Sequence, residues 1–469
     1  MKRRKRNSGR AAGIGPAIIS RRGFLRLGCT AVATMGMSAA LNRFGMMSAL
    51  AGATADYRAL VCVFLFGGND SNNVIVPTDN TRLTQYQQAR ADLALAANTL
   101  LPIGDSHGNT YGLHPALSNI QSLYSQKAAA IVLNVGSLVG PLTKSAYQNG
   151  TSPAPSNLFS HSDQQTQWQS SVPNATLSVS GWGGRIADTI GSGSNFPAGM
   201  SVAGNTLFLA GLTTTPTTVV PNATNSPLGL FGDNGMPDGN ARNAAIQQML
   251  SFNTGFALVQ AANGIMSDGL SVDSLLNGAF KSASKLQTVF PGTDIGGQLQ
   301  QIAKIIQVRS ALGVNRQIFF CSLGGFDTHS AQLGIQGNLL SQLSAALGAF
   351  YAATQELGVD HLVTTFTESD FNRTFQPNSN AGSDHAWGSN HLVIGGAVNG
   401  GDVYGTLPQY ELSGPDDANN RGVWIPGFGI DQYGATLASW FGLDANQLNT
   451  VFTNLSQFNG VTNLGFMGA

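Results

Sequence analysis

The sequence predicts an α/β fold built on a doubly wound, mostly parallel sheet flanked by helices. Three observations carry that prediction. Short, continuous apolar runs of strand type alternate along the chain with segments of helical periodicity. Two of these runs, 60–66 and 318–323, end in paired glycines, as buried parallel strands that turn sharply into loops do. Carboxylates then follow the strands: Asp70 comes after 60–66, Asp327 after 318–323, and Glu368 and Asp370 after 362–366. That is the edge at which doubly wound sheets hold their ligands.

The first 55 residues stand outside this fold. Lys2, Arg3, Arg4, Lys5, Arg6 and Arg10 precede Ser20-Arg21-Arg22-Gly23-Phe24-Leu25, and a mildly apolar run, 27–40, follows. With small residues at 51–55, the pattern predicts a twin-arginine export signal and a periplasmic, secreted or cell-surface protein. The apolar run is too short and too rich in Gly, Ala, Ser and Thr to span a membrane, so no stable span is expected once the signal is gone. Of the 24 Lys and Arg, ten lie before residue 56 and no acid does, which leaves 14 basic against 24 acidic residues. A net charge of about −10 on the remainder argues against a nucleic-acid surface.

Residues 56–469 are long enough for one large α/β domain. Strand 60–66 opens it, 81–97 reads as a helix, and 115–127 is a helix with Pro115 in its first turn. Strand 128–135 follows. The segment from about 192 to 293 is rich in Gly, Ser, Thr, Asn and Pro, with helical stretches near 243–262 and 271–286. It reads as an insertion or cap over the strand edge. Strand 318–323, a helix over 330–357, strands 362–366 and 392–398, and helices 432–441 and 446–452 close the chain. Cys62 and Cys321 sit inside strand runs. Buried thiols are the simpler reading, and a bridge between neighbouring strands stays open in an oxidising compartment.

The ionisable side chains are unevenly spread. Only 10% of the chain is charged, yet residues 327–391 hold Asp327, His329, Glu368, Asp370, Asp384, His385 and His391. Interleaved Asp and His at strand ends point to a divalent metal ion. Asp384-His385 is the sharpest doublet, because a turn that splays the two side chains lets both ligate one ion. The bland alternative is that the aspartates cap turns and the histidines are satisfied core or surface residues. FLFGGNDSNN (64–73) lacks the Lys-Ser/Thr of a phosphate loop, so its glycines serve to place Asp70 in the cleft. SHSDQQTQW (160–168) reads as a helix start, where Ser160 or Ser162 is a candidate nucleophile and His161 a ligand, an acid or polar packing. Simple capping by the serine is the main competitor. Arg373 either binds a substrate anion or pairs with Glu368 or Asp370, with pairing preferred. Asp370 and His361 look peripheral, and Glu368 looks like a residue that orients others.

Taken together, the twin-arginine pattern, GGND (67–70), YGLHPAL (111–117), S-H-x-D-x-Q (160–165), GWGGR (181–185), GGFDTH (324–329), T-E-x-x-x-R-T (367–374) and SDHAWG (383–388) resemble the exported bacterial proteins called domain of unknown function 1501. That family is similar to the alkaline phosphatase and sulfatase superfamily, so the resemblance implies an alkaline phosphatase-like sheet with two metal ions at its carboxyl edge. One ion would be held by Asp70, Asp384 and His385, the other by Asp327, His329 and His391; zinc, manganese, calcium and magnesium are not distinguished. Ser160 would be the nucleophile, with His161, Glu368 and Arg373 assisting catalysis. The chain departs from the pattern in spacing its second pair D-x-H rather than D-x-x-x-H, and in lacking the C/S-x-P-x-R signature of sulfatases. The expectation is an exported hydrolase of phosphate or sulfate esters acting on a small-molecule or glycan ester. Its rival is a secreted or surface binding and assembly protein that keeps a degenerate metal site. An oxidoreductase is suggested only by the export route.

Overall fold

A computed structural model describes residues 57–221, 238–252 and 255–468. The predicted export signal and part of the 192–293 segment lie outside the described residues. The chain divides into two compact units. The described part of one is residues 247–252 and 255–267, which carry the end of one helix and the start of the next. The other holds the rest of the described chain, including both sheets.

The chain enters on β1 (Arg58–Leu65), makes β2 (Ile75–Pro77), helix α1 (Asn80–Arg90), β3 (Leu101–Gly104) and β4 (Thr110–Leu113), and returns through α2 (Ser118–Ser125) to β5 (Ala129–Gly136). Helices α3 (Lys144–Asn149), α4 (His161–Ser170) and α5 (Trp182–Ile190) precede β6 (Gly199–Ser201) and β7 (Thr217–Thr218). After α6 (Gly239–Leu250) and α7 (Ala257–Lys281) come α8 (Asp294–Gln307), β8 (Arg316–Leu323), α9 (Gln332–Glu356) and β9 (Val363–Ser369). Strands β10 (Ser389–Ile394), β11 (Val403–Tyr404) and β12 (Phe428–Gly429) lead into α10 (Ile430–Phe441) and α11 (Ala445–Val451).

The main sheet runs β11-β5-β10-β9-β1-β8-β6-β7, with β12 also on β5. Its pairs are parallel except those of β10, which is antiparallel to both β9 and β5. The reversal follows from connection length: no crossover helix lies between β9 and β10, so the chain comes back down beside the strand it left. The expected α/β sheet, mostly parallel and flanked by helices, is present.

Alternation along β1 divides the core. Ala59, Val61, Val63 and Leu65 face a layer that includes Ile302 of α8 and Leu343 and Leu347 of α9. Leu60, Cys62 and Phe64 face Trp182 of α5, Tyr433 of α10 and Phe452. Because one face is buried under each set, the strand reads as a continuous apolar run. The same parity settles the cysteines: Cys321 pairs with Val63, not Cys62, so the two thiols point into opposite layers and both are free.

Element ends differ from the sequence expectation where backbone geometry decides. The first helix stops at Arg90 because Ala91 takes φ 43°, not at residue 97. The helical stretches near 243–262 and 271–286 are redistributed into α6 and the single long α7. The 192–293 segment opens with β6 and β7, which extend the sheet beyond β8. Among the described residues, no helix is long and apolar enough to cross a membrane.

Candidate metal centre

The loops at the carboxyl ends of β1, β8 and β9 converge because they pack backbone against backbone. Gly67 holds φ 109°, and a Cβ there would stand 2.4 Å from the Asp327 nitrogen, so only glycine lets the β1 and β8 loops touch. Between β9 and β10 the chain folds back on itself: Arg373 bridges His385, and the Thr374 N–H donates to the Asp384 carbonyl at 2.8 Å. Gly382 brings this loop against the β8 loop, since a Cβ there would meet the His329 carbonyl carbon at 2.2 Å. The start of α4 closes the fourth side with His161.

These four pieces gather three imidazoles on one carboxylate. Asp327 Oδ1 lies 3.0 Å from His329 Nε2 and 3.3 Å from His385 Nε2, and its Oδ2 lies 3.4 Å from His161 Nε2. The other ring nitrogen of each histidine faces an acceptor. His161 Nδ1 is 2.7 Å from Asp370 Oδ2, His385 Nδ1 is 2.7 Å from the Phe159 carbonyl, and His329 Nδ1 is 3.2 Å from Asp384 Oδ1. In the neutral ring an acceptor at Nδ1 draws the hydrogen to that nitrogen, and Nε2 then has a lone pair to direct at the centre. His329 Nε2 and His385 Nε2 are 3.0 Å apart. Two lone pairs at that distance repel unless a proton or a cation lies between them.

Electrostatics favours a cation. Burial works against ionisation of Asp327, but the Arg373 hydrogen bond and charge outweigh it and hold the carboxyl below its usual range. Asp384 is likewise held low, its burial overcome chiefly by its hydrogen bond to Arg421. Burial lowers the pKa of His385, which favours the neutral ring that a metal requires. His161 is pushed the other way, mainly by its hydrogen bond to Asp370. The ligand atoms of His161, Asp327 and His385 all lie within 4.8 Å of one another, and Asp327 is 47% exposed, so an ion can enter. Imidazole nitrogens with one carboxylate suit zinc and similar transition ions better than the all-oxygen preference of calcium or magnesium. A carboxylate or carbonyl behind each ring is the usual support for a metal-bound histidine.

Other expected site residues are placed differently. Asp70 is fully buried and its oxygens are committed: Oδ1 accepts from the Asn72 N–H and Nδ2, while Oδ2 meets Arg90 and Gln332. His391 lies inside the sheet, packed on Trp168 and Tyr433 with Nδ1 3.4 Å from Thr367 Oγ1. Burial pushes its pKa down to about 3, so it stays neutral. Its Nε2 meets no partner among the described residues. Neither residue is brought to the three-histidine group. Glu368 points into the apolar layer instead of towards the loops, accepting from Trp182 Nε1 at 3.1 Å and from Cys62 Sγ at 3.7 Å. Burial raises its pKa to about 8. Arg373 pairs with Asp327 at 2.8 Å, not with Glu368 or Asp370, and is itself fully buried. Ser160 stands at the N-cap of α4 without capping it; its Oγ is 3.2 Å from Ser162 Oγ.

Sequence reasoning missed Asp370, set aside as peripheral. It is buried beside His161, takes Gln165 Nε2 at 2.9 Å on the same oxygen, and takes the Gly67 N–H at 3.2 Å on the other. Its place one residue beyond β9 was the available signal. Arg421, 2.6 Å from Asp384, and Arg90 were missed as well.

The family model described as "Protein of unknown function (DUF1501)" matches residues 57–421. No curated protein matches the chain. Similar solved structures include the lipoteichoic acid synthase LtaP from Listeria monocytogenes, at 7% identity and TM-score 0.36 over 85% of this chain and 76% of that one. They also include the PsFucS1 sulfatase from Pseudoalteromonas sp., at 9% identity and TM-score 0.32 over 91% and 73%. The alkaline phosphatase PafA is similar at 11% identity and TM-score 0.27, over 69% and 64%.

Proposed function

The chain belongs to the family described as Protein of unknown function (DUF1501), and we propose that it is an exported, metal-dependent hydrolase of phosphate or sulfate esters built around one ion. The observation that carries this reading is the convergence of three histidine Nε2 atoms on Asp327, each ring backed by an acceptor at Nδ1. His161, Asp327, His329 and His385 would hold the ion, and Asp370 and Asp384 would orient two of the rings. A bound divalent ion supplies Lewis-acid polarisation of an ester oxygen.

The chain's own groups do the rest. Ser160 Oγ is uncommitted to capping and sits beside His161 at the start of α4, which favours it as the nucleophile over Ser162. Arg373, buried against Asp327 and the Ser383 carbonyl, fixes the carboxylate and its charge rather than touching substrate. Arg421 is partly exposed on Asp384 and is the cation available to an ester anion. One ion is proposed instead of two because Asp70 is already neutralised by Arg90 and His391 stays inside the sheet. Expected outcomes are about one zinc-like ion per chain by mass spectrometry of purified protein, and its loss, together with ester hydrolysis, in Asp327→Asn and His385→Ala. A folded protein that takes up no ion when offered zinc or manganese overturns the reading.

A further inference from the structure

A cavity of about 280 Å³ with a mixed polar and apolar lining opens beside the metal centre, between α4 and the loop after β6. It shares parts with the centre. Gln165 lines it and holds Asp370 Oδ2, the oxygen that meets His161. Ser162 lines it and touches Ser160. Phe66, which immediately precedes Gly67, lines it together with Phe320.

The wall combines apolar surface from Phe66, Phe320, Ala203 and Leu207 with uncharged polar groups. Thr166, Gln169, Asn205 and Thr206 join Gln165, and no charged side chain lines the cavity. Amides and hydroxyls both donate and accept, which matches ligand hydroxyl groups and matches neither a charged nor a purely apolar ligand. The wall is also held in place: Gln169 Oε1 accepts from Thr206 Oγ1 at 2.8 Å and from the Phe208 N–H at 3.0 Å. That bonding leaves the Gln169 amide hydrogens as what it can offer a ligand. The half-buried Phe66 ring, packed on Phe64 at 4.5 Å, adds a flat apolar surface of the kind that suits the C–H face of a ring.

We infer that this cavity is a subsite for a neutral, hydroxyl-bearing ring, a sugar or cyclitol, carried on the ester whose charged group lies at the metal centre. The inference rests on the hydrolase reading for its purpose but not for its binding. A volume near the lower end of small-molecule sites, roughly 300 Å³, admits one ring rather than a chain.

Two measurements test it on the full-length protein and on Asn205→Ala and Thr166→Val. The first is the ratio of kcat/KM for sugar monophosphates and monosulfates to that for methyl phosphate and methyl sulfate, which have no ring to fill the cavity. Each substitution is expected to lower the ratio roughly five- to tenfold, the factor that accompanies one lost hydrogen bond. An unchanged ratio in both variants overturns the subsite. The second is saturation-transfer NMR with a panel of neutral methyl hexosides, expected to show binding in the native protein and weakened binding in both variants. If no ester is cleaved, the hydrolase reading fails while hexoside binding lost in the variants still supports the subsite. If esters are cleaved but no hexoside binds, the subsite fails alone.

Discussion

Single residues here divide by which side of the sheet edge they reach. Asp370 works through His161, so Asp370→Asn is expected to weaken zinc affinity about 10- to 100-fold while leaving the fold intact, as loss of a histidine's carboxylate partner does. A competition titration with a chromogenic chelator reads it, and an unaltered affinity would separate Asp370 from the ion. Glu368 behaves as a buried neutral acid, its pKa raised to about 8 by burial. Below the ordinary carboxyl pKa both folded and unfolded chains hold its proton. Between there and about 8 the unfolded chain releases the proton and the folded one keeps it, so stability falls with pH, at up to about 1.4 kcal/mol per unit. Above that range the loss is complete and level. Glu368→Gln keeps an acceptor for Trp182 and removes this slope. Urea unfolding at pH 5, 7 and 9 should show the variant gaining on the native protein as pH rises; parallel profiles would mean that Glu368 is ionised in the fold.

Elements decide which residues can meet, and this is where the sequence was partly legible. The apolar runs ending in Gly-Gly identify β1 and β8 because a doubly covered strand needs no alternation and a sharp exit needs glycine. Asp327, His329, Asp384 and His385 were readable for the same reason, lying in loops at that exit. Glu368 and Asp370 were read the wrong way round because β9 ends at Ser369: the last strand positions still point into the core, and the next residue is free to turn. The strand ends at 369 and not at 366, and this three-residue shift exchanges their roles. Asp70 was read as a ligand because nothing local shows that α1 returns Arg90 to it twenty positions later. His391 went astray with the direction of β10, which carries its third residue inward beside Trp168. The contact between loops gives a further prediction. Gly67→Ala adds a methyl 2.4 Å from the Asp327 nitrogen at φ 109°, so it should cost about 1–3 kcal/mol of stability and displace Asp327. Denaturant unfolding and zinc titration of that variant should both change; a change in neither would show that the two loops part easily.

At the scale of the molecule, the ion would act as a clamp between pieces distant in sequence. His161, Asp327 with His329, and His385 come from the start of α4, the β8 loop and the loop before β10, which are otherwise joined at the site by close glycine contacts and hydrogen bonds. A cation that binds the folded chain and not the unfolded one stabilises it by mass action, about 2.7 kcal/mol at a free concentration 100 times Kd. Removing it also leaves facing Nε2 lone pairs that only protonation can relieve. Dialysis against a chelator is therefore expected to lower Tm by about 3 °C, since ~2.1 cal/mol/K per residue over roughly 400 residues makes ~1 kcal/mol worth about 1 °C. Zinc should restore Tm. Asp327→Asn removes the one carboxylate common to all three rings, so its Tm should be insensitive to chelator and zinc alike. Asp70→Asn should behave differently, because Asp70 answers to Arg90 and not to the ion: its Tm falls whether or not metal is present, and the increment that zinc adds stays that of the native protein. If zinc instead stabilises the Asp70→Asn variant less than the native chain, Asp70 contributes to metal binding after all and the one-ion centre gives way to two.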